Sequence, residues 1–447
     1  MADSITFVLT RSSRPGLAAV KRLINVPDRR SFLKGAAGTL VGLSAGCATP
    51  PYRAAEKGGG LNEDFWHSVR ADFDLPDGVI QLENGAWGVM SLPVREAYFR
   101  HQARVNQQGS YYTRREFGAD ATAVRARVAA SLGVHTDEIA FSRNATEALQ
   151  ALIGGYNRLV PGDSVLLSDL DYDSMQTAMR WLKSRRGAQI HEITLPEPAT
   201  KDGLIRAYES ALDAHPAIRL ILLTHVSHRN GVVMPVAEIT ALARARGVDV
   251  ILDSAHAWGQ VDLRLNDMGT DFAGLNLHKW IGAPIGVGLM FIRRGRLADI
   301  DRFMGEPEGR GIEIDTRLHT GTTNFAALLS VADALDYHES IGAERKAARL
   351  RFLANSWTEP ARSLPGIEII SPPDPALRAG IAAFRRRGET SIEQNRELVE
   401  RLLKEFGIFT VVRSGLASGA CVRVTPGIFT SEAEIRALLN ALEQIGS

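Results

Sequence analysis

The stretch Val248–Arg293 reads VDVILDSAHAWGQVDLRLNDMGTDFAGLNLHKWIGAPIGVGLMFIR. It opens with a short apolar run, Val248 to Leu252, that ends on Asp253. A continuous apolar run of this length, bounded by polar residues, predicts a strand buried on both faces. An acid just past such a strand stands at the carboxyl edge of an open α/β sheet, where ligands bind. Further on, His278-Lys279 precedes a glycine-containing loop and a second apolar run, Gly286 to Ile292. Lysine normally stays in solvent. Held among glycines and apolar residues, it is desolvated, its pKa falls and it becomes nucleophilic.

An acid at a strand end and a lysine on a later loop suit pyridoxal 5'-phosphate (PLP). The lysine would bind the aldehyde as a Schiff base, and the carboxylate would keep the pyridine nitrogen protonated. A buried structural Asp–Lys ion pair explains these two residues equally well. The other strand ends decide between the two readings.

The chain has 447 residues and 45% hydrophobic content, enough for a large core and two or three domains. Its net charge of +1 gives no bulk electrostatic reason to expect a nucleic acid partner. Two cysteines, Cys47 and Cys421, support neither a disulfide framework nor a four-ligand zinc site, and no metal site is expected.

Residues 1–60 differ from the rest. Arg29-Arg30-Ser31-Phe32-Leu33-Lys34 precedes a weakly apolar, glycine-rich run from Gly35 to Ala48. Paired arginines before a short apolar run form an export pattern, here resembling a twin-arginine signal. The run is too short and too glycine-rich to span a bilayer. The expectation is a periplasmic or otherwise exported protein that uses the twin-arginine translocation machinery. Cys47 follows Leu43-Ser44-Ala45-Gly46, which loosely resembles a lipoprotein processing site. The serine fits that site poorly, so cleavage without lipidation is an equal expectation. Ala48 to Gly60 reads as a linker.

Past the linker, Val79 to Leu82 predicts a short strand and Glu83-Asn84-Gly85-Ala86-Trp87-Gly88 a glycine turn. Residues 92–108 read as helix, and Gly109 to Arg115 as a loop with two tyrosines and two arginines. Glu138 to Phe141 predicts a strand ending in Ser142-Arg143-Asn144-Ala145-Thr146-Glu147 before an Ala/Leu-rich helix. Such a turn presents backbone N–H groups to a phosphate, or simply caps the helix. Strand Ser164 to Ser168 ends at Asp169-Leu170-Asp171-Tyr172-Asp173-Ser174. Ser174 and Arg180 stand where a calcium loop needs glycine and glutamate, so that reading fails. Tyr172 is better placed to stack on a flat ring. Strand Leu220 to Thr224 ends at His225-Val226-Ser227-His228-Arg229-Asn230. Strands alternating with helices imply a mostly parallel sheet, so these clusters share one edge. That convergence favours a cofactor site over an isolated ion pair. The glycines Gly282, Gly286 and Gly288 lead into a strand, the wrong context for a dinucleotide site.

Thr320-Gly321-Thr322-Thr323-Asn324 opens a further helix, and from about Leu335 long charged helices take over. The closing segment Cys421-Val422-Arg423-Val424 places an arginine in an apolar strand. Arg423 is either an edge-strand arginine paired to a surface acid or a two-pronged clamp for a substrate carboxylate.

Taken in order, Ala145-Thr146-Glu147, Asp253-Ser254-Ala255-His256, His278-Lys279, Gly321-Thr322-Thr323-Asn324 and Cys421-Val422-Arg423-Val424 resemble the class V group of fold-type I PLP enzymes. That group includes isopenicillin N epimerase-like proteins and cysteine desulfurases. The resemblance covers about residues 61–447. It implies an α/β fold, with a large domain (100–334) built on a mostly parallel seven-stranded sheet. A smaller α+β domain (335–447) would pack with an N-terminal segment (61–99). It implies PLP on Lys279, with Asp253 at the ring nitrogen, His256 near the ring oxygen and Tyr172 stacked on the ring. Ala145, Thr146, Asn276 and His278 would contact the phosphate, with Thr322 reaching in from the second subunit of a homodimer with shared active sites. Arg423 would hold the substrate carboxylate, and Asn84 and Tyr112 would border the substrate, with Trp87, Tyr111 and Arg114 as further pocket candidates. His228 stands where many relatives carry asparagine, so either His228 or Asn230 must supply that ring contact.

The expected activity is that of an exported PLP enzyme acting on the α-amino group of an amino acid or amino-acid-derived metabolite. Transamination and isopenicillin N epimerase-like chemistry lead. A peptidyl substrate, as in siderophore tailoring, or a lyase reaction is the alternative. Cysteine desulfuration is not expected, because Leu377 to Gly419 contains no cysteine and Cys421 lies on a predicted strand.

Overall fold

The apolar run that ends on Asp253 forms the middle strand of a seven-stranded sheet in the computed structural model, which describes residues 62–307 and 313–446. The export pattern and Cys47 lie outside the described residues. In chain order the first elements are α1 (Glu63–Arg70), β1 (Ile80–Gln81), α2 (Leu92–Arg115), α3 (Phe117–Leu132), β2 (Ile139–Ser142), α4 (Ala145–Gly155), β3 (Ser164–Ser168) and α5 (Asp173–Arg186). Next come β4 (Gln189–Ile193), α6 (Lys201–Ala214), β5 (Ile218–Thr224), α7 (Val236–Ala245), β6 (Asp249–Ser254), β7 (Phe272–Asn276) and β8 (Gly288–Ile292). The last are α8 (Phe325–Ile341), α9 (Ala343–Ala361), β9 (Ile367–Ile369), β10 (Ala382–Arg386), α10 (Ile392–Phe406), β11 (Ile408–Phe409), β12 (Val411–Leu416), β13 (Gly419–Val424) and α11 (Glu432–Ile445).

The large sheet runs β2-β8-β7-β6-β5-β3-β4, and only β8 is antiparallel to its neighbours. Its inner strands are buried on both faces. Leu166, Ile221, Leu223 and Leu252 pack into one apolar cluster, while Val165, Leu167, Leu222 and Ile251 pack into another. That alternation is the period-two pleat read against helices on both sides. Pairing of Thr224 with Asp253 and of Asp253 with Gly274 brings the carboxyl ends of β5, β6 and β7 level.

A second, antiparallel sheet runs β12-β13-β10-β9. Trp357, Phe384, Leu402, Val422 and Leu438 fill its core. Truncating Trp357 or Phe384 would cost about 3–5 kcal/mol. β1 pairs in parallel with β11, and Glu83 bridges to Thr425. The N-terminal turn is thereby fixed beside β13. It also reaches the lysine loop, where the Gly88 N–H donates to the His278 carbonyl at 2.8 Å. A Cβ at Gly88 would sit 1.9 Å from the Lys279 carbonyl oxygen, so only glycine passes there.

Three local expectations change. Residues 109–115 belong to α2 rather than a loop, with Gly109 at φ 56° breaking the helix internally. β4 and β7 were not singled out from the sequence: β4 is a polar edge strand, and Gly274 interrupts the apolar run of β7. β13 lies between β12 and β10, so Arg423 is not an edge-strand residue.

Candidate active site

A cavity of about 690 Å³ lies between the carboxyl edge of the large sheet and the β12–β13 hairpin. Ala145, Thr146, Tyr172, His228, Asp253, His256, Asn276, His278, Lys279, Thr322 and Arg423 all line it. Residues far apart in sequence are thus gathered on one space, as the parallel topology requires.

At the floor, the Lys279 Nζ lies 2.9 Å from the His256 Nε2. On the other side of that ring, the Trp280 indole N–H donates to Nδ1 at 3.4 Å. An indole can only donate, so Nδ1 carries the lone pair and the neutral ring carries its proton on Nε2. Nε2–H therefore donates to Lys279, which accepts as a neutral amine. The electrostatics agree. Burial, then the Arg423 charge, push the Lys279 pKa down, with Asp253 pulling the other way. Burial holds His256 well below the usual imidazole range, and Lys279 lowers it further. The Asp253 carboxyl is raised by burial and steadied by the Ala255 N–H at 3.0 Å.

Asp171 sits behind this floor, fully buried. One oxygen accepts from the Thr224 N–H and hydroxyl, the other from the Ser168 N–H and hydroxyl. It ties the ends of β3 and β5 together, and burial pushes its carboxyl up to about 7. Of the alternating acids that failed as a calcium loop, this one is a strand-end clasp.

The first turn of α4 forms one wall. Asn144 caps it by accepting from the Glu147 N–H, and the Asn276 Oδ1 takes the Ala145 N–H at 2.8 Å. The Thr146 N–H and hydroxyl keep no protein partner among the described residues. Gly288 lets this turn approach, since a Cβ there would strike the Asn144 backbone at 2.4 Å. Free donors at a helix N-terminus, backed by Asn276 and His278, fit the PLP phosphate. The His278 Nδ1 faces the Val287 carbonyl at 3.0 Å, so a bound dianion would favour protonation of its other nitrogen.

Tyr172 stands edge-on to His228, with ring centroids 5.2 Å apart. His228 lines the cavity, whereas Asn230 spends its side chain on the Val232 N–H in the local turn. Of the two, His228 is the one that faces the cavity.

Five residues expected around the substrate lie off the cavity. Tyr112 does not border the cavity: it is fully buried in α2 with its hydroxyl donating to Asp120 at 2.7 Å. Asn84 is turned away, its amide donating to the Thr425 carbonyl at 2.9 Å, and its neighbours Gly85 and Ala86 line the space instead. Trp87, Tyr111 and Arg114 also lie off this cavity. Thr322 is also among the residues that line the cavity. Glu83, Arg229 and Arg413 were missed. Arg229 and Arg413 line the cavity, and Glu83 is buried against Arg423. Their signal was faint: a charged residue inside an apolar or turn segment, with no motif around it.

A seven-stranded, mostly parallel sheet with a desolvated lysine facing a strand-end aspartate and a helix-turn phosphate cradle defines a fold-type I PLP enzyme. The aminotransferase class-V model matches residues 92–438, and the chain belongs to that PLP-dependent family. It is 27% identical over 403 residues to isopenicillin N epimerase of Streptomyces clavuligerus, covering 85% of this chain and 98% of that protein. It is also 27% identical over 304 residues to a cysteine desulfurase of Serratia proteamaculans (strain 568), covering 64% of this chain and 72% of that one. Among solved structures, a C-DES mutant with glycine covalently linked to its PLP cofactor superposes with a TM-score of 0.72 at 22% identity, covering 84% of this chain and 98% of that one.

Proposed function

We propose that this chain is an exported enzyme acting on the α-amino group of an amino acid or amino-acid-derived metabolite, by transamination or isopenicillin N epimerase-like chemistry. One observation carries the reading: a desolvated Lys279 amine 2.9 Å from the His256 Nε2, with buried Asp253 beside it, at the floor of a cavity with arginines at its other end. Bound at Lys279, PLP supplies an electron-accepting ring that stabilises charge on the substrate carbon. Asp253 would pair with the ring nitrogen and His256 would donate Nε2–H to the ring oxygen. Thr146, Ala145, Asn276 and His278 would hold the phosphate, and Tyr172 and His228 would border the ring. Lys279, desolvated at the floor, would serve as the base for the proton on the reacting carbon.

Cysteine desulfuration is disfavoured although desulfurases are relatives. No cysteine lines the cavity among the described residues, and Cys421 is fully buried, its thiol pushed up to about 12 by burial. A homodimer is part of the proposal. Ile285 lines the cavity mouth and is 62% exposed, which a second subunit would cover. Residues 1–60 are proposed as the twin-arginine export segment on their sequence pattern alone.

The test is a set of half-reactions with a panel of free and peptide-bound amino acids. Pyridoxamine phosphate marks a transaminase. Exchange of the α-hydrogen with inversion at that carbon and no pyridoxamine phosphate marks an epimerase. Keto acid with ammonia marks a lyase and rules out both transamination and epimerisation.

A further inference from the structure

Lysine is seldom buried without a carboxylate partner. Lys346, in the first turn of α9, is buried, and no carboxylate pairs with it among the described residues. Its Nζ donates to the Trp280 carbonyl. The titratable groups around it bring no compensating charge. His338 on α8 is buried and pushed down to about 3 by burial, then by Lys346 itself. Lys279 shares with Lys346 and Trp280 a small cavity of about 40 Å³. An apolar side chain of the same length would fill this space without the desolvation cost. What only the lysine supplies is the bond to the carbonyl.

That carbonyl belongs to one of the two peptide groups that fix Trp280. Gly88 packs against the Lys279 carbonyl on one side, and Lys346 holds the Trp280 carbonyl on the other. Gly259 closes in as well, since a Cβ there would lie 2.7 Å from the Trp280 oxygen. With both planar peptide groups held, the backbone dihedrals of Trp280 and the direction of its side chain are set. The indole N–H then meets the His256 Nδ1 at 3.4 Å, and the His256 Nε2 faces the Lys279 Nζ at 2.9 Å. His256 is braced in the same way. Its carbonyl accepts from the Gln260 Nε2 at 2.6 Å, and the Gln260 Oε1 accepts from the Gly380 and Ile381 N–H groups. Lys346 does not line the main cavity, and Trp280 is its link to the floor.

We infer that Lys346 is a positioning residue: it holds the Trp280 carbonyl so that the indole selects which His256 nitrogen faces Lys279. The inference rests on the functional reading above, in which His256 and Lys279 serve the reaction.

The experiment uses full-length protein carrying histidine with isotope-labelled ring nitrogens, with and without PLP, and reads by NMR which nitrogen of His256 holds the proton. In wild type it should be Nε2. Lys346→Met keeps the length and loses the donor. Both tautomers should then be present, and turnover of the PLP-loaded enzyme should fall by about fivefold with a shifted pH profile. Added to Trp280→Phe, Lys346→Met should change turnover by less than about twofold, because the two residues act through one contact. The inference is overturned by a His256 proton on Nδ1 in wild type, by a single wild-type tautomer in Lys346→Met, or by losses that multiply in the double variant. If Lys346→Met does not fold, Lys346→Leu takes its place, and failure of both to fold also overturns the inference, because Lys346 is then a packing residue. Failure of the functional reading looks different: wild-type protein would turn over no amino acid, while the His256 tautomer and its response to Lys346→Met would stand.

Discussion

The two ends of the cavity treat charge in opposite ways. At the floor, burial drives charges toward neutrality: Lys279 and His256 are pushed down and Asp253 up. At the far end, charges are kept and paired, Arg423 with Glu83 and Arg229 with Asp173. The floor rests on the large sheet, whereas Arg413 and Arg423 rest on the second sheet and the N-terminal turn. Chemistry needs a group that can give and take a proton near neutral pH. Recognition needs a group that stays charged and in place. Under the proposed function, the floor would carry the reaction and the far end would choose the substrate.

The largest blow to the floor is Lys279→Ala. It should lower turnover by roughly 10⁴-fold, since it removes both the anchor and the base. The visible cofactor band should vanish, while acetate binding at the arginine end survives. Joint loss of both would break the separation of the two ends.

A smaller effect is expected from Trp280→Phe. The indole fixes the proton of His256 on the nitrogen that faces Lys279. Without it the other tautomer is allowed, and activity should fall by about tenfold with a shifted pH profile. An unchanged pH profile would reduce Trp280 to packing. The smallest effect belongs to Cys421→Ala, behind the arginine hairpin. Activity should stay within about twofold and stability should fall by about 1 kcal/mol, measured by denaturant unfolding. Abolished turnover would bring thiol chemistry back into consideration.

The floor and its α4 wall were legible in the sequence because their residues sit beside strand ends and a helix start. Asp253 closes an apolar run, Thr146 follows a capping asparagine, and His278-Lys279 sits before a second run. Topology alone then brings them together. The other end was not legible. Glu83 meets Arg423 only because β1 pairs with β11, a contact between the two ends of the chain that no local pattern announces. Tyr112 misled for the converse reason: Gly109 looked like a helix stop, but α2 resumes and buries the ring. His228 and Asn230 were equivalent by spacing, and only the side-chain hydrogen bond of Asn230 separates them.

The central claim is a neutral Lys279 at the floor. Burial, then the Arg423 charge, push its pKa below the ordinary lysine range, so the amine becomes nucleophilic at a lower pH than a solvated lysine. A second desolvated lysine gives a control. Lys346, also pushed down to about 7 by burial, donates to the Trp280 carbonyl and does not line the main cavity. The measurement is the rate of PLP capture by apoprotein across pH, followed by borohydride reduction and peptide mapping. The account predicts a rate that reaches half its maximum well below the ordinary lysine range, with the label on Lys279. A rate that keeps climbing toward the ordinary lysine range, or a label on Lys346, would contradict it.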